Sequence, residues 1–264
     1  MNSEEIICKW DADLYDQEET QTEDIDFMLP IIGTARQDIL EACCGSGRIL
    51  VPLAKAGHHV TGFDGNEFML AKIEVKSKGI QNLQWYHGDA ITDEWGRDFD
   101  VVVLAGNILI NIITEMNYKE AQVLFIQKAY DSLKPGGHIY LDFNLIAHPE
   151  LLFGKSKDRI IFEGTDREGN YGTITIVEED FNCSTQICTS SYRTELKTKE
   201  GQLIFQSYTK TKHIPTLENV ETWLKETGFN ISNEYGDYQG NRISESTCRA
   251  IIWAEKRRNN YEIC

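Results

Sequence analysis

The amino-acid sequence predicts an α/β fold, in which a Rossmann-like, doubly wound and mainly parallel sheet of seven strands carries an inserted antiparallel β-sheet. Between about residues 35 and 145, short apolar runs alternate with helical patterns. That alternation is typical of a parallel sheet with right-handed crossovers. Between about 146 and 215, alternating segments rich in Ile, Thr, Val, Tyr and Phe are separated by turn residues such as Glu168-Gly169-Asn170. This second pattern favours antiparallel hairpins.

The core strands are predicted at 38–42, 59–63, 83–87, 99–104 and 138–143, with helices near 47–56, 66–78 and 117–133. Thr216 as N-cap and Gly228 as terminator define a last helix, which precedes strands near 230–236 and 247–255. The inserted strands are predicted at 159–164, 173–180, 187–198 and 203–213. The predicted organisation is a helical lid (1–34), a ligand-binding core (35–145), the inserted sheet (146–215), and the last helix and strands of the core (216–264).

Composition excludes several classes of function. The 264 residues carry a formal net charge of −16, whereas proteins that bind nucleic acids or anionic lipids normally present a basic face. The seven cysteines are odd in number and include no Cys-x-x-Cys pair, so neither a disulfide framework nor a metal site is expected. The N-terminus lacks the pattern of a signal peptide, and no apolar run is long enough to span a membrane. A cytoplasmic protein is therefore expected.

The most informative segment is Ile-Leu-Glu-Ala-Cys-Cys-Gly-Ser-Gly, residues 39–47. It joins the end of an apolar strand to a helix through a loop that contains Gly45 and Gly47, where the absent Cβ atoms let the backbone approach a ligand. Asp64 ends the next strand, 64 − 47 = 17 residues after Gly47. That spacing is close to the roughly 20 residues expected for an acid that binds a ribose. The segment therefore predicts a nucleotide-sized pocket.

With these residues the chain resembles the class I S-adenosylmethionine (SAM)-dependent methyltransferases. Glu41, Gly45 and Gly47 match the first motif of that family, in which Cys43 replaces the first glycine. Further matches follow in order at Gly88-Asp89-Ala90, at the strand Phe99–Leu104 with Ala105-Gly106-Asn107, and at the turn Leu133-Lys134-Pro135-Gly136-Gly137-His138. The resemblance covers about residues 35–145.

The resemblance implies SAM as cofactor, S-adenosyl-L-homocysteine as product, and a set of binding residues. Glu41 would hold the amino group of the methionine tail, and a helix starting near Arg48 would meet its carboxylate. Asp64, next to Gly65, would accept hydrogen bonds from the ribose hydroxyls, and Asp89 with Ala90 would contact the adenine. Gly106 and Asn107 would face the methionine end and the substrate. The remaining loop positions with an implied role are Cys43, Gly45 and Gly47. Strand-end acids also commonly cap the following helix, so a purely structural role is the alternative for each carboxylate.

The catalytic candidates are Asn107, Tyr15 and His213. Tyr15 lies in Trp-Asp-Ala-Asp-Leu-Tyr-Asp, which resembles a segment that forms a lid over SAM in small-molecule methyltransferases, although it could equally anchor an N-terminal helix. His213 ends an inserted strand and is either a base for a substrate proton or an ordinary surface histidine. No residue stands out as an obligatory base, which favours an amine over a hydroxyl acceptor.

The predicted function is methyl transfer to a small-molecule acceptor, an amine nitrogen, by in-line displacement. The similarity to glycine and aminosugar N-methyltransferases favours the same acceptor. One alternative is an NAD-dependent oxidoreductase on a similar sheet, against which Leu50 in the third-glycine position argues. Another is a non-catalytic SAM-binding regulatory protein. The inserted sheet is expected either to cover the substrate or to form the interface of a homodimer, and the sequence leaves both open.

Overall fold

The computed structural model describes residues 1–112, 114–153 and 158–258. The chain divides into two compact units, which are described separately. Residues 21–147 and 215–264 form the core unit, and residues 1–20 and 148–214 form the insert unit. The division places the N-terminal residues up to Thr20 in one unit and those from Gln21 onward in the other.

The core unit contains the predicted seven-stranded sheet, with strand order β10-β11-β5-β4-β1-β2-β3. Its strands are β1 (Asp38–Ala42), β2 (His59–Asp64), β3 (Leu83–His87), β4 (Phe99–Leu104), β5 (Leu133–Asn144), β10 (Phe229–Tyr235) and β11 (Arg249–Lys256). Strands β1 to β5 pair in parallel, and β11 runs antiparallel to both of its neighbours. The predicted fold class is therefore confirmed. Parallel strands bring their carboxyl ends to one edge of the sheet, which is where such folds bind ligands.

The helices of the core unit are α2 (Glu23–Ile32), α3 (Leu50–Lys55), α4 (Glu67–Lys76), α5 (Tyr118–Ser132) and α7 (Leu217–Thr227). Side-chain caps start three of them: Asn66 and Asn117 each accept two backbone N–H groups, and Thr216 forms a capping box with Asn219. Gly228 ends α7 in the left-handed region, with φ 111°. The predicted caps of the last helix are thus confirmed.

Two predicted boundaries were wrong. The helix expected at 47–56 begins only at Leu50. Gly45 and Gly47 adopt positive φ, and the chain continues as a turn up to Ile49. Strand β5 begins at Leu133 rather than 138, since Leu133 already pairs with Phe99 of β4. The Lys-Pro-Gly-Gly turn therefore lies within the first residues of β5, where the pairing with β4 shifts in register. Both differences arise from pairing and loop geometry that periodicity does not report.

Buried apolar side chains hold the sheet and its helices in place. Leu40, Val102 and Leu141 on the central strands have no exposed surface. Helices α2, α3 and α4 pack onto the sheet through Met28, Leu53 and other residues of the same hydrophobic cluster. Burial of a large aliphatic side chain contributes about 1.5–3 kcal/mol. The loops at the carboxyl edge are therefore carried on a rigid support.

The insert unit contains an antiparallel sheet in the order β6-β7-β8-β9, as predicted. Its elements are α1 (Ser3–Glu18), α6 (Pro149–Leu152), β6 (Arg159–Thr165), β7 (Tyr171–Asn182), β8 (Ile187–Lys197) and β9 (Leu203–His213). Trp10 of α1 is fully buried against the sheet and donates from Nε1 to the Gly164 carbonyl at 3.3 Å. A Cβ at Gly172 would lie 2.9 Å from Trp10, so a residue without one is needed there. Among the described residues, no helix has the length and apolarity needed to cross a membrane.

Candidate functional site

The glycine-containing loop after β1 forms a tight bend at the carboxyl edge of the core sheet. Cys43, Gly45 and Gly47 all have positive φ, at 58°, 54° and 75°. The Gly47 N–H donates to the Cys44 carbonyl at 3.0 Å, and Lys76 donates to the Ser46 carbonyl at 2.9 Å. A Cβ at Gly47 would lie 2.9 Å from the buried side chain of Ile73, so glycine is needed there for packing as well as for conformation.

Cys43 and Cys44 are small side chains in this bend, where Cys44 is buried and Cys43 is half-buried. Burial raises the pKa of both thiols, and the nearby carboxylates raise it further. Both thiols therefore remain protonated near neutral pH and are poor nucleophiles. Gly62 of β2 packs closely against Cys44, since a Cβ at Gly62 would lie 2.9 Å from the Cys44 sulfur. Little space is therefore left for a larger side chain at either position.

Asp64 connects the end of β2 to the glycine loop. One carboxylate oxygen accepts the Gly45 N–H at 2.9 Å, and the other accepts the Asn66 N–H at 2.8 Å. The sequence predicted a ligand-binding acid at this position, and the structure places its carboxylate directly against the loop. Each carboxylate oxygen has more than one acceptor site, so these contacts leave capacity for a hydroxyl donor. Gly65 follows immediately, and its carbonyl is 3.1 Å from Nε2 of His87.

Glu41 lies at the end of β1 with only 5% of its surface exposed. Its Oε2 is buried and has no hydrogen-bond partner among the described residues. Burial raises the pKa of the Glu41 carboxyl to about 8, with the Asp64 and Asp24 carboxylates adding to the rise and Arg48 opposing it. A buried carboxyl without a partner is costly and is suited to a positively charged guest.

The charge of Arg48 acts on Glu41, and Arg48 itself is hydrogen bonded to Asp24 of α2. Its Nη1 and Nη2 donate to the two Asp24 oxygens at 2.8 and 2.6 Å, and Nη1 also donates to the Gln21 carbonyl at 3.1 Å. This forked geometry fixes the guanidinium. The helix start that was expected near Arg48 lies two residues later, at Leu50, and a contact of its N–H groups with a ligand carboxylate stays a prediction.

The segment after β3 is organised by Asp89. Its Oδ1 accepts the Ile91 and Thr92 N–H groups at 2.7 and 2.9 Å, and its own N–H donates to Asp93 at 2.8 Å. The hydrogen bonds from the backbone lower the pKa of Asp89. The Ala90 carbonyl accepts the Trp95 indole N–H at 3.0 Å, which ties the turn to the core. Asp89 is exposed. Its side chain holds the turn that follows it, where no helix begins, and a ligand contact stays a prediction.

Gly106 and Asn107 lie just after the end of β4, and both have the positive φ of the left-handed region, 67° and 63°. The Asn107 carbonyl oxygen Oδ1 accepts the backbone N–H of Asn144 at 2.6 Å. Asn107 thus links the carboxyl ends of β4 and β5. A left-handed non-glycine residue at such a position costs about 1–3 kcal/mol and is held only by its surroundings.

Sequence reasoning missed a buried polar group beside this edge. Asp142 of β5 has no exposed surface, and its two oxygens accept the Tyr238 hydroxyl and the Arg249 guanidinium. Burial raises the pKa of Asp142, and Arg249 opposes that effect. Tyr140, on the same face of β5, has a buried hydroxyl without a partner among the described residues. The one available signal was an acid inside the apolar run Ile-Tyr-Leu-Asp-Phe.

Two predicted residues belong to the insert unit. Tyr15 lies in α1 and is partly buried. His213 ends β9 with only 4% of its surface exposed, so the alternative of an ordinary surface histidine was wrong. Their assigned roles stay predictions.

Comparisons with known proteins agree with this geometry. Residues 39–137 match a family model described as a methyltransferase domain. A putative methyltransferase of Geobacillus is 24% identical over 223 residues, which cover 83% of this chain and 84% of that protein. An S-adenosylmethionine-dependent methyltransferase of Clostridium acetobutylicum has the same fold, with TM-score 0.71 and 18% identity over 92% of this chain and 96% of the other. The sugar N-methyltransferase KedS8 of Streptoalloteichus is also similar, with TM-score 0.65 and 13% identity over 91% and 88%.

Proposed function

We propose that this SAM-dependent methyltransferase methylates an amine nitrogen of a small molecule. The observation that carries the proposal is the excess of carboxylates at the carboxyl edge of the core sheet. Glu41, Asp64 and Asp89 lie there, and the two arginines that act on Glu41 and Asp142, Arg48 and Arg249, are each paired with a carboxylate. An acidic edge attracts an ammonium and repels polyanions. The similarity to a sugar N-methyltransferase supports the same acceptor.

One observation supports the fit between SAM and the residues proposed to bind it. The buried Glu41 Oε2 lacks a hydrogen-bond partner among the described residues, and the amino group of the methionine tail would supply one. When bound, SAM supplies a methyl group that its sulfonium has already activated. Asp64 would hold the ribose hydroxyls, Asp89 and Ala90 the adenine, and the loop of Gly45 and Gly47 would approach without Cβ atoms. Cys43, Arg48 and Gly65 would shape the same pocket.

The chain's own contribution to transfer is alignment and proton acceptance. An acceptor amine held beside Gly106 and Asn107 would attack the methyl carbon in line, forming the C–N bond while the C–S bond breaks. Good alignment alone is worth roughly 7–11 kcal/mol. The amine must lose a proton to expose its lone pair, and a nearby carboxylate can accept it. Tyr15 as a lid over the donor and His213 as an alternative base are proposals of the same kind.

Methyl transfer from tritiated SAM tests this function. Purified protein would be incubated with small amines, with small alcohols, and with total RNA, and labelled products would be identified by mass spectrometry. We expect label on nitrogen in the small-amine fraction. Label confined to oxygen, carbon or RNA would contradict the proposal. Asp64→Ala should transfer no label, whereas Asp38→Ala, which changes an acid at the opposite end of the core strands, should remain active.

A further inference from the structure

A polar pocket of about 510 Å³ lies within the core unit, under the loop that joins β10 to β11. Loop residues between 236 and 248 form most of its wall, and Glu23, Asn144 and Arg249 complete it. The loop is well organised: Asp237 accepts the Gln239 and Asn241 N–H groups at 2.9 and 3.1 Å. The cavity is therefore bounded by a defined turn structure.

Two lining residues of the pocket, Glu23 and Asn144, connect it with the candidate methyl-donor site. Glu23 immediately precedes Asp24, which holds Arg48 of the glycine loop. Asn144 donates its backbone N–H to Asn107, the residue that follows β4. A molecule in the pocket would thus lie beside the residues proposed to face the methyl group.

One wall of the pocket is rigid. Tyr238 and Arg249 both line it and both hydrogen bond to the fully buried Asp142, and the Arg249 guanidinium lies 4.9 Å from the centre of the Tyr238 ring. A guanidinium stacked on an aromatic ring and paired with a carboxylate keeps its remaining N–H donors in fixed directions. This wall offers preset hydrogen-bond donors to a ligand.

The chemistry of the lining identifies the ligand class. The side chains that line the pocket are mainly hydroxyls, amides, carboxylates and guanidiniums, including Asn241, Ser244, Ser246 and Thr247. Planar amide and guanidinium groups hydrogen bond to neighbouring hydroxyls, while Glu23 suits an ammonium. We propose that this pocket binds the methyl acceptor and that the acceptor is a hydroxyl-rich amine, such as an amino sugar or an amino alcohol. The inference deepens the proposed function and rests on it.

The experiment blocks the pocket without touching the cofactor site. Ser246 is exposed on the loop, so Ser246→Trp should fill the cavity while the protein still folds. Gln84→Trp is the matched control, because Gln84 is exposed and lines a separate cavity at the amino ends of β1 and β2. Acceptors are glucosamine and aminopropanediol, compared with hexylamine and benzylamine. SAM affinity by calorimetry and thermal melting would accompany the kinetics.

We expect wild type to methylate the hydroxylated amines at least tenfold more efficiently than the apolar ones. Ser246→Trp should raise the acceptor KM at least tenfold with a SAM Kd within twofold of wild type, and Gln84→Trp should change neither. An unchanged acceptor KM in folded Ser246→Trp would overturn the pocket assignment. A preference for apolar amines would overturn the ligand class but leave N-methylation standing. Transfer to no amine at all would overturn both, through the failure of the proposed function itself.

Discussion

Strand β1 carries an acid at each end, and the two acids have opposite environments. Asp38, at the amino end, is about half-exposed. Its carboxylate oxygens lie 3.0 Å from Nζ of Lys134 and 3.2 Å from Nδ1 of His59. The hydrogen bond from Lys134 lowers the pKa of Asp38. Glu41, at the carboxyl end, is buried, its Oε2 has no partner among the described residues, and burial raises its pKa to about 8. The acid at the amino end is thus paired within the protein, whereas the acid at the carboxyl end keeps an oxygen with no partner among the described residues.

Replacement of Asp64 should give the largest effect at the ligand edge. Asp64→Ala removes both the proposed ribose contact and the tether on the Gly45 N–H. We expect SAM affinity to fall at least 100-fold, since each 1.4 kcal/mol lost is a factor of ten. Calorimetry with SAM measures this, and Asp38→Ala is the matched acid at the other edge. Equal losses in the two variants would erase the distinction between the edges.

The titration of Glu41 should appear in the pH dependence of SAM binding. Below about pH 8 the Glu41 carboxyl is protonated and must lose a proton to pair with an ammonium. SAM affinity should therefore rise with pH, by up to about tenfold per unit, and level off above pH 8. Glu41→Gln should bind roughly tenfold more weakly at pH 8 and with a flat profile. Calorimetry between pH 6 and 9 distinguishes the two, and a flat wild-type profile would refute this role.

The same shift predicts a change in stability without any ligand. The folded-state pKa of Glu41 lies above its ordinary value of 4.5, so the folded state binds the extra proton between these values. The contribution of Glu41 to the free energy of unfolding is therefore present at low pH and is lost as pH rises toward 8, by up to about 1.4 kcal/mol per unit. Glu41→Gln should lack this loss. Urea unfolding of both proteins from pH 6 to 9 measures the difference, and parallel curves would count against it.

Removal of the ion pair between Asp38 and Lys134, at the amino end of β1, should give the smallest change in stability. Asp38→Asn removes an exposed acid beside Lys134, so we expect a loss of less than about 1 kcal/mol in the free energy of unfolding at pH 7. Because the folded-state pKa of Asp38 is lowered, this stabilisation is present above the ordinary value of 3.8 and disappears as pH falls through the lowered value. Urea unfolding at pH 7 and pH 3 checks it, with SAM affinity unchanged. A loss above 2 kcal/mol, or weakened SAM binding, would contradict the comparison.

Much of the fold could be predicted from the sequence because local patterns report it directly. Short apolar runs predicted strands β1 and β3 with their observed bounds, and Thr216 and Gly228 marked both ends of α7. The start of α3 could not be predicted, because the turns after Gly47 depend on the positive φ values and on contacts to Ile73 of another helix.

The sequence by itself determined the doubly wound sheet, the glycine bend and the acid at the end of β2, since each is encoded by neighbouring residues. Only the tertiary structure decided which charges pair. Asp24 and Arg48 are 24 residues apart, and Arg249 and Asp142 are 107 apart, so their ion pairs exist only after folding. Tertiary structure likewise determines that Oε2 of Glu41 has no partner among the described residues. A carboxyl's partners are set by three-dimensional proximity and burial, neither of which a linear pattern contains.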